Sequence, residues 1–184
     1  MQDTAHSQPS SRLLRLCQGV RALIALGALM LMLLPWVFWV APAWVPAWVS
    51  QMTSLPGDAV RPTTLTPWLG TLVTLLPASL GLAALWQLWR LFGAYAQGRA
   101  LTHEAQRHLR RFAGLLLALA LVEPLYRAAM SVVFSLGNAP GSRQLIVSLS
   151  SHDYLQVLLA LVLLAIAAVM AEAVRAAEEN RSFV

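Results

Sequence analysis

Four long apolar runs constrain this chain more than any other feature of its sequence. They cover residues 22–41, 69–89, 112–136 and 154–171. Each run approaches or exceeds the roughly 20 residues that an α-helix needs to cross a bilayer. The chain is 58% hydrophobic and only 11% charged, whereas a soluble domain carries about a quarter charged residues. The sequence therefore predicts an integral membrane protein with little room for a soluble domain.

The predicted fold is all-α, with four transmembrane helices in an up-down bundle. We expect a disordered polar N-terminus over residues 1–11 and a four-helix membrane domain over residues 12–184. The helices are expected at about 22–41, 69–97, 103–136 and 154–180, with cytoplasmic extensions of the second, third and fourth. A signal peptide is a poor alternative for the first run, because the apolar region of a signal peptide spans only about 7–15 residues.

Two connections are predicted on the external side of the bundle. Residues 42–67 are rich in proline and should form an external loop, because proline lacks a backbone donor and disfavours a long helix. Residues 137–141, with the sequence GNAPG, should end the third helix. Apolar and polar residues then alternate loosely over 144–150, and this period of two predicts a short external β segment.

Arginine supplies all 13 basic residues, and its placement indicates an orientation in the membrane. Ten of the 13 flank the apolar runs on one predicted side: Arg12, Arg15, Arg21, Arg90, Arg99, Arg107, Arg110, Arg111, Arg175 and Arg181. Only Arg61 and Arg143 lie in the two opposite connections. Because cytoplasmic flanks are rich in basic residues, both termini and the 90–111 connection are predicted to be cytoplasmic. The formal net charge of +5 then reflects orientation rather than direct nucleic-acid binding.

The connection between the second and third helices carries specific helix-end signals. Gly98 is a natural residue for a helix C-terminus. Thr102 is a predicted N-cap, and Glu104 in the following turn complements the helix dipole. A helix over residues 103–136 would be ~51 Å long. Because the hydrocarbon core is only ~30 Å thick, a basic stalk at residues 103–111 should extend beyond it.

The third apolar run contains a polar pair, Glu123 and Arg127, with Pro124 between them. Glu123 falls close to the middle of the run, where charge is costly and usually has a function. Side chains four residues apart share a helix face and can pair, and Pro124 predicts a helix kink. Two interpretations are open: a structural pair that fixes helix rotation, which we favour, and a path or site for an ion, a proton or a polar ligand.

Other kinds of chemistry find little support in the sequence. The four histidines are too scattered for a metal site: His6, His103, His108 and His152. Nucleophile motifs, phosphate-binding glycine loops and nucleotide fingerprints do not occur, so we expect no cofactor. An enzyme is the least favoured class. Catalysis would need at least a second polar group near Glu123, and the sequence offers no convincing candidate.

The predicted cytoplasmic ends of the third and fourth helices form a candidate partner-binding surface. These helices are consecutive and antiparallel, so residues 103–111 should lie beside residues 172–181. Six charged residues of the two segments would form the surface: Arg107, Arg110, Arg111, Glu172, Glu178 and Glu179. Exposed ion pairs contribute only about 0–1 kcal/mol each, so such a cluster is better suited to presenting a polar surface than to stabilising the fold.

Three stretches resemble a bacterial membrane family known as domain of unknown function 2975. Residues 91–102, LFGAYAQGRALT, resemble its aromatic and glycine-containing turn, and residues 109–114, LRRFAG, resemble the start of its third helix. Residues 171–184, AEAVRAAEENRSFV, are similar to its C-terminal ending. The resemblance implies four helices, both termini inside and no known enzymatic activity. Members are often encoded beside small helix-turn-helix regulators, which implies a cytosolic regulator of that type as a partner.

The sequence thus predicts a multi-pass protein of the bacterial inner membrane with a non-enzymatic, sensory or regulatory role. It would contact the lipid bilayer and bind a cytosolic partner, without binding nucleic acid directly. Assembly into a homo-oligomer is left as an open alternative. The alternative is a small transporter or channel subunit that uses Glu123 and Arg127.

Overall fold

The structure, a computed structural model, describes residues 11–40, 63–99, 102–139, 143 and 145–182. Four helices account for most of them: α1 (Ser11–Val40), α2 (Thr66–Ala96), α3 (His103–Ser135) and α4 (Ser151–Ser182). The predicted disordered N-terminus, apart from Ser11, and the external loop up to residue 62 lie outside the described residues. Described residues contain no strand. The predicted all-α fold with four transmembrane helices is confirmed.

Each helix is long and apolar enough to cross a membrane. They contain 30, 31, 33 and 32 residues, which corresponds to about 45–50 Å at 1.5 Å per residue. This length exceeds the ~30 Å hydrocarbon core, so every helix has at least one end beyond it. The helix α1 begins before the apolar run from which it was predicted, because the basic stretch 12–21 is also helical.

Contacts between side chains show that consecutive helices run antiparallel. Near one end of the bundle, the Arg21 guanidinium lies 4.1 Å from the ring centroid of Trp89, and the His108 Nδ1 lies 2.7 Å from the Gln87 Oε1. Farther along α2 and α3, the hydroxyls of Thr74 and Tyr126 are 3.3 Å apart. The residue numbers thus fall on one helix as they rise on the next, as an up-down arrangement requires.

Extensive packing joins α1 to α2, α2 to α3 and α3 to α4. The α1–α2 contact is close at Gly81, where a Cβ atom would lie 3.2 Å from the Leu31 Cδ1. Large apolar side chains elsewhere on the helices are exposed, for example Leu72, Leu125 and Val169 at 64–67%. An exposed apolar surface of this extent marks a membrane or protein contact, and a lipid-facing bundle explains it.

The turn between α2 and α3 follows its sequence signals. Gly98 has a φ of 72°, a backbone region that favours glycine, and its N–H donates to the Tyr95 carbonyl at 3.0 Å. The Thr102 hydroxyl accepts a hydrogen bond from the Ala105 N–H at 3.3 Å and caps α3. The predictions for Gly98 and Thr102 are confirmed.

The predicted β segment over residues 144–150 is wrong. Residues 145–150 have no regular secondary structure, and the Ile146 N–H donates to the Ser131 hydroxyl of α3 at 3.0 Å. A strand needs a ladder of backbone partners, and here the segment hydrogen-bonds to helix side chains instead. We call the side of the bundle that holds this segment the loop end, and the side with the α2–α3 turn the terminal end.

Candidate functional sites at the two ends of the bundle

A buried cation lies in the loop-end half of α3. The Arg127 Nη2 is 2.5 Å from the Asp153 Oδ2 of α4, and its Nη1 is 3.8 Å from the Glu123 Oε1. The Arg127 Nη2 also donates to the Ser148 carbonyl at 3.4 Å. The side chains of Arg127 and Asp153 are only 11% and 6% exposed, against 28% for Glu123. One guanidinium therefore links α3, α4 and the segment between them.

The sequence analysis identified Glu123 as the partner of Arg127 and did not consider Asp153. The prediction is incomplete, because the shorter and more deeply buried ion pair joins two helices. Arg127 lies ~24 Å along α3 from Arg111 at 1.5 Å per residue, one helical turn beyond Glu123 toward the loop end. The position of Glu123 near the midplane stays a prediction.

Asp153 is held in place by the start of α4. Its N–H lies 3.3 Å from the Ser150 Oγ, and its Oδ2 accepts from the Ser150 N–H at 2.7 Å. This reciprocal arrangement is a capping box, and the N-terminal end of a helix also favours a nearby anion. The sequence contained the signal, a serine three residues before an acidic residue at the start of an apolar run.

The remaining prediction for this region concerns Pro124. It lies inside α3, which continues to Ser135, and the expected kink stays a prediction. Chemically, the cluster of one cation and two carboxylates can act as a clamp between helices. The transporter interpretation would use the same polar groups inside the bundle.

Ion pairs at the terminal end fix the α2–α3 turn. The Arg99 Nη1 lies 2.6 Å from the Glu104 Oε2, and the Arg90 Nη2 lies 3.8 Å from the Glu104 Oε1. Glu104 was expected to complement the helix dipole in the first turn of α3, where it is observed. These contacts hold the basic start of α3 against the end of α2.

A cleft of about 790 Å³ opens between α3 and α4 at the terminal end. Its walls combine charged, polar and small apolar residues: His103, Gln106, Arg107, Arg110, Leu164, Ala167, Ala168, Ala171, Glu172 and Arg175. Residues of the basic stalk therefore lie beside Glu172 and Arg175 of α4, as predicted. Gln106 was not identified from the sequence, because the burial of a polar residue on a basic stalk depends on how neighbouring helices pack against α3.

The predicted partner-binding residues differ in their surroundings. Arg107, Arg110 and Arg111 are exposed, and the Arg107 Nε donates to the His103 carbonyl at 3.4 Å. Glu172 pairs with Arg175 of its own helix at 3.6 Å. Among the described side chains, no carboxylate lies within ion-pair distance of Arg110 or Arg111.

The α4 tail contributes one further described side chain. Glu179 is exposed, whereas the side chain of Glu178 lies outside the described part of the chain.

Within the described residues, no group of three His, Cys, Asp or Glu side chains could hold a metal ion. The terminal end thus presents guanidinium groups on a surface shared by two helices.

Comparison with known proteins identifies a family without assigning an activity. Neither a search of curated proteins nor a search of solved structures found a significant match. The sequence profile described as "Protein of unknown function (DUF2975)" matches residues 51–182. This segment is most of the chain and contains α2, α3 and α4. The protein belongs to the DUF2975 family.

Proposed function

We propose that this protein is a non-enzymatic sensory or regulatory protein of the bacterial inner membrane. In this proposal the terminal end faces the cytoplasm and binds a cytosolic partner. The observation that carries it is the set of exposed arginines at that end, of which Arg110 and Arg111 have no ion-pair partner among the described side chains. Arginines held beside the α4 tail offer a charged surface to an acidic segment of another protein.

The orientation rests on the distribution of charge. Ten of the 13 arginines flank the helices at the terminal end, and basic residues concentrate on the cytoplasmic side of membrane proteins. Both termini are then cytoplasmic. This placement accounts for the basic charge without a nucleic-acid site, so the protein would contact DNA only through a partner.

The proposed partner is a small helix-turn-helix regulator, the class implied by the family resemblance. A regulator held at the membrane is not available to bind DNA. The conformation of the helix bundle would then determine how much regulator is free to bind DNA. The exposed apolar faces of the helices also leave room for a second copy of the chain. Neither interaction needs a cofactor or a chemical step.

Affinity capture from native membranes tests this proposal. The tagged full-length protein should co-purify one soluble DNA-binding protein reproducibly, identified by mass spectrometry. The Glu123→Gln variant is the matched control and should retain the same partner, because Glu123 lies far from the terminal end along α3. Absence of any soluble partner from the wild-type sample would count against the proposal.

A transporter or channel subunit is the second candidate. The observation in its favour is the buried cluster of Arg127, Asp153 and Glu123, which spans two helices. The same contacts also cap α4 and hold residues 146–148 against α3, and a structural clamp explains all of them. Substrate flux in proteoliposomes that is lost on Glu123→Gln would favour transport over the regulatory role.

A further inference from the structure

We propose that the cleft between α3 and α4 binds an anionic phospholipid whose headgroup carries hydroxyl groups, such as phosphatidylglycerol. This inference goes beyond the proposed regulatory role and does not require a protein partner. The cleft holds about 790 Å³, a volume within the range of small-molecule sites. It lies where the apolar part of α4 gives way to Glu172 and Arg175, the level at which a membrane helix meets lipid headgroups.

The charge of the cleft matches a phosphodiester. Among the described side chains that line it, three are arginines, Arg107, Arg110 and Arg175, and one is a carboxylate, Glu172. The carboxylate is paired with Arg175 at 3.6 Å, whereas Arg110 has no ion-pair partner among the described side chains. Basic pockets between membrane helices bind anionic headgroups in this way, and arginine is well suited to phosphate oxygens.

A buried amide supplies the second, independent observation. Gln106 lines the cleft and is 5% exposed, and its Oε1 is buried without a hydrogen-bond partner in the described structure. An unpaired buried acceptor is costly, so a hydrogen-bond donor in the cleft would favour a rotation of the Gln106 side chain that opens its Oε1 to the cleft. The glycerol hydroxyls of a phosphatidylglycerol headgroup would supply this donor while the phosphate contacts the arginines.

The apolar lining of the cleft distinguishes a lipid from a soluble anion. Leu164, Ala167 and Ala168 belong to this lining; Ala167 is 2% exposed, and Ala168 is exposed. A soluble phosphate would contact only the polar rim and leave these side chains uncovered. A phospholipid would cover both parts, because its acyl chains continue from the headgroup into the membrane.

Native mass spectrometry of the purified full-length protein tests the proposal. Phosphatidylglycerol should be retained at least about tenfold better than phosphatidylcholine with the same acyl chains. Arg110→Gln should weaken retention about fivefold, since one basic residue near an anionic headgroup has an effect of about this size. Arg111→Gln is the matched control, because Arg111 is an exposed neighbour outside the cleft, and it should leave retention unchanged.

A variant that keeps every charge completes the test. Ala168→Leu places a larger side chain in the apolar lining of the cleft and should reduce retention as strongly as Arg110→Gln. Equal losses from Arg110→Gln and Arg111→Gln would show diffuse attraction and overturn the proposal, as would equal retention of the two lipids. Equally tight binding of soluble glycerol phosphate would show that the site takes a soluble anion. These outcomes are independent of protein capture, so failure here differs from failure of the regulatory role.

Discussion

Replacing Arg127 with Gln should destabilise the protein more than breaking any other ion pair described here. The change leaves Asp153, with a side chain only 6% exposed, as a buried carboxylate without its cation. It also removes the contacts with Glu123 and with the Ser148 carbonyl. Loss of one partner of a buried pair costs about 3–5 kcal/mol. The free energy of unfolding in detergent should fall by this amount, whereas Arg111→Gln, at an exposed position, should have little effect.

A double-mutant cycle identifies the carboxylate on which Arg127 depends. Asp153→Asn combined with Arg127→Gln should recover much of the lost stability, because no buried charge is then unpaired. Glu123→Gln combined with Arg127→Gln should recover less, because Glu123 is farther from the guanidinium and partly exposed at 28%. Additive losses for Arg127 and Asp153, or stronger coupling of Arg127 to Glu123, would contradict the interhelical pair.

Reversing two arginines of the stalk should abolish capture of the cytosolic partner. Arg107→Glu and Arg111→Glu change exposed side chains, and neither has an ion pair among the described residues. Folding and insertion should therefore be largely retained. Like charges across an interface cost several kcal/mol, so affinity for an acidic partner should fall by at least about a hundredfold, measured by capture from detergent extracts.

Two controls separate partner binding from general effects of charge and lipid. Arg143→Glu reverses an exposed arginine at the loop end and should leave capture unchanged. Ala168→Leu fills the α3–α4 cleft without changing charge and should also retain the partner. Unchanged capture by the double reversal, with loss on Glu123→Gln instead, would move the partner site into the membrane.

The sequence predicted most of the fold because its signals are local. An apolar run of bilayer length is sufficient to indicate a membrane helix, and the helix ends at Gly98 and Thr102 depend on a few neighbouring residues. Apolar alternation over 144–150 misled for a related reason. It reports which side chains could share a face, but a strand also needs a partner strand, and that segment hydrogen-bonds to α3 instead.

The candidate sites were harder to predict because they join distant parts of the chain. Glu123 could be paired with Arg127 from helical spacing alone. Asp153, by contrast, reaches Arg127 only through the register of α4 against α3, which the sequence of either helix does not specify. Gln106 illustrates the same limit, since the burial of a polar residue on a basic stalk depends on the packing of helices distant in the sequence.

Labelling of single cysteines in intact cells tests most directly whether the terminal end faces the cytoplasm. The native thiol, buried Cys17, is first replaced with Ala. Leu149, 82% exposed at the loop end, and Gln97, exposed at the terminal end, are then changed to Cys one at a time. We predict that a membrane-impermeant maleimide labels Leu149→Cys in intact cells and Gln97→Cys only after permeabilisation. The opposite pattern would place the basic surface outside the cell and contradict the proposed cytosolic partner.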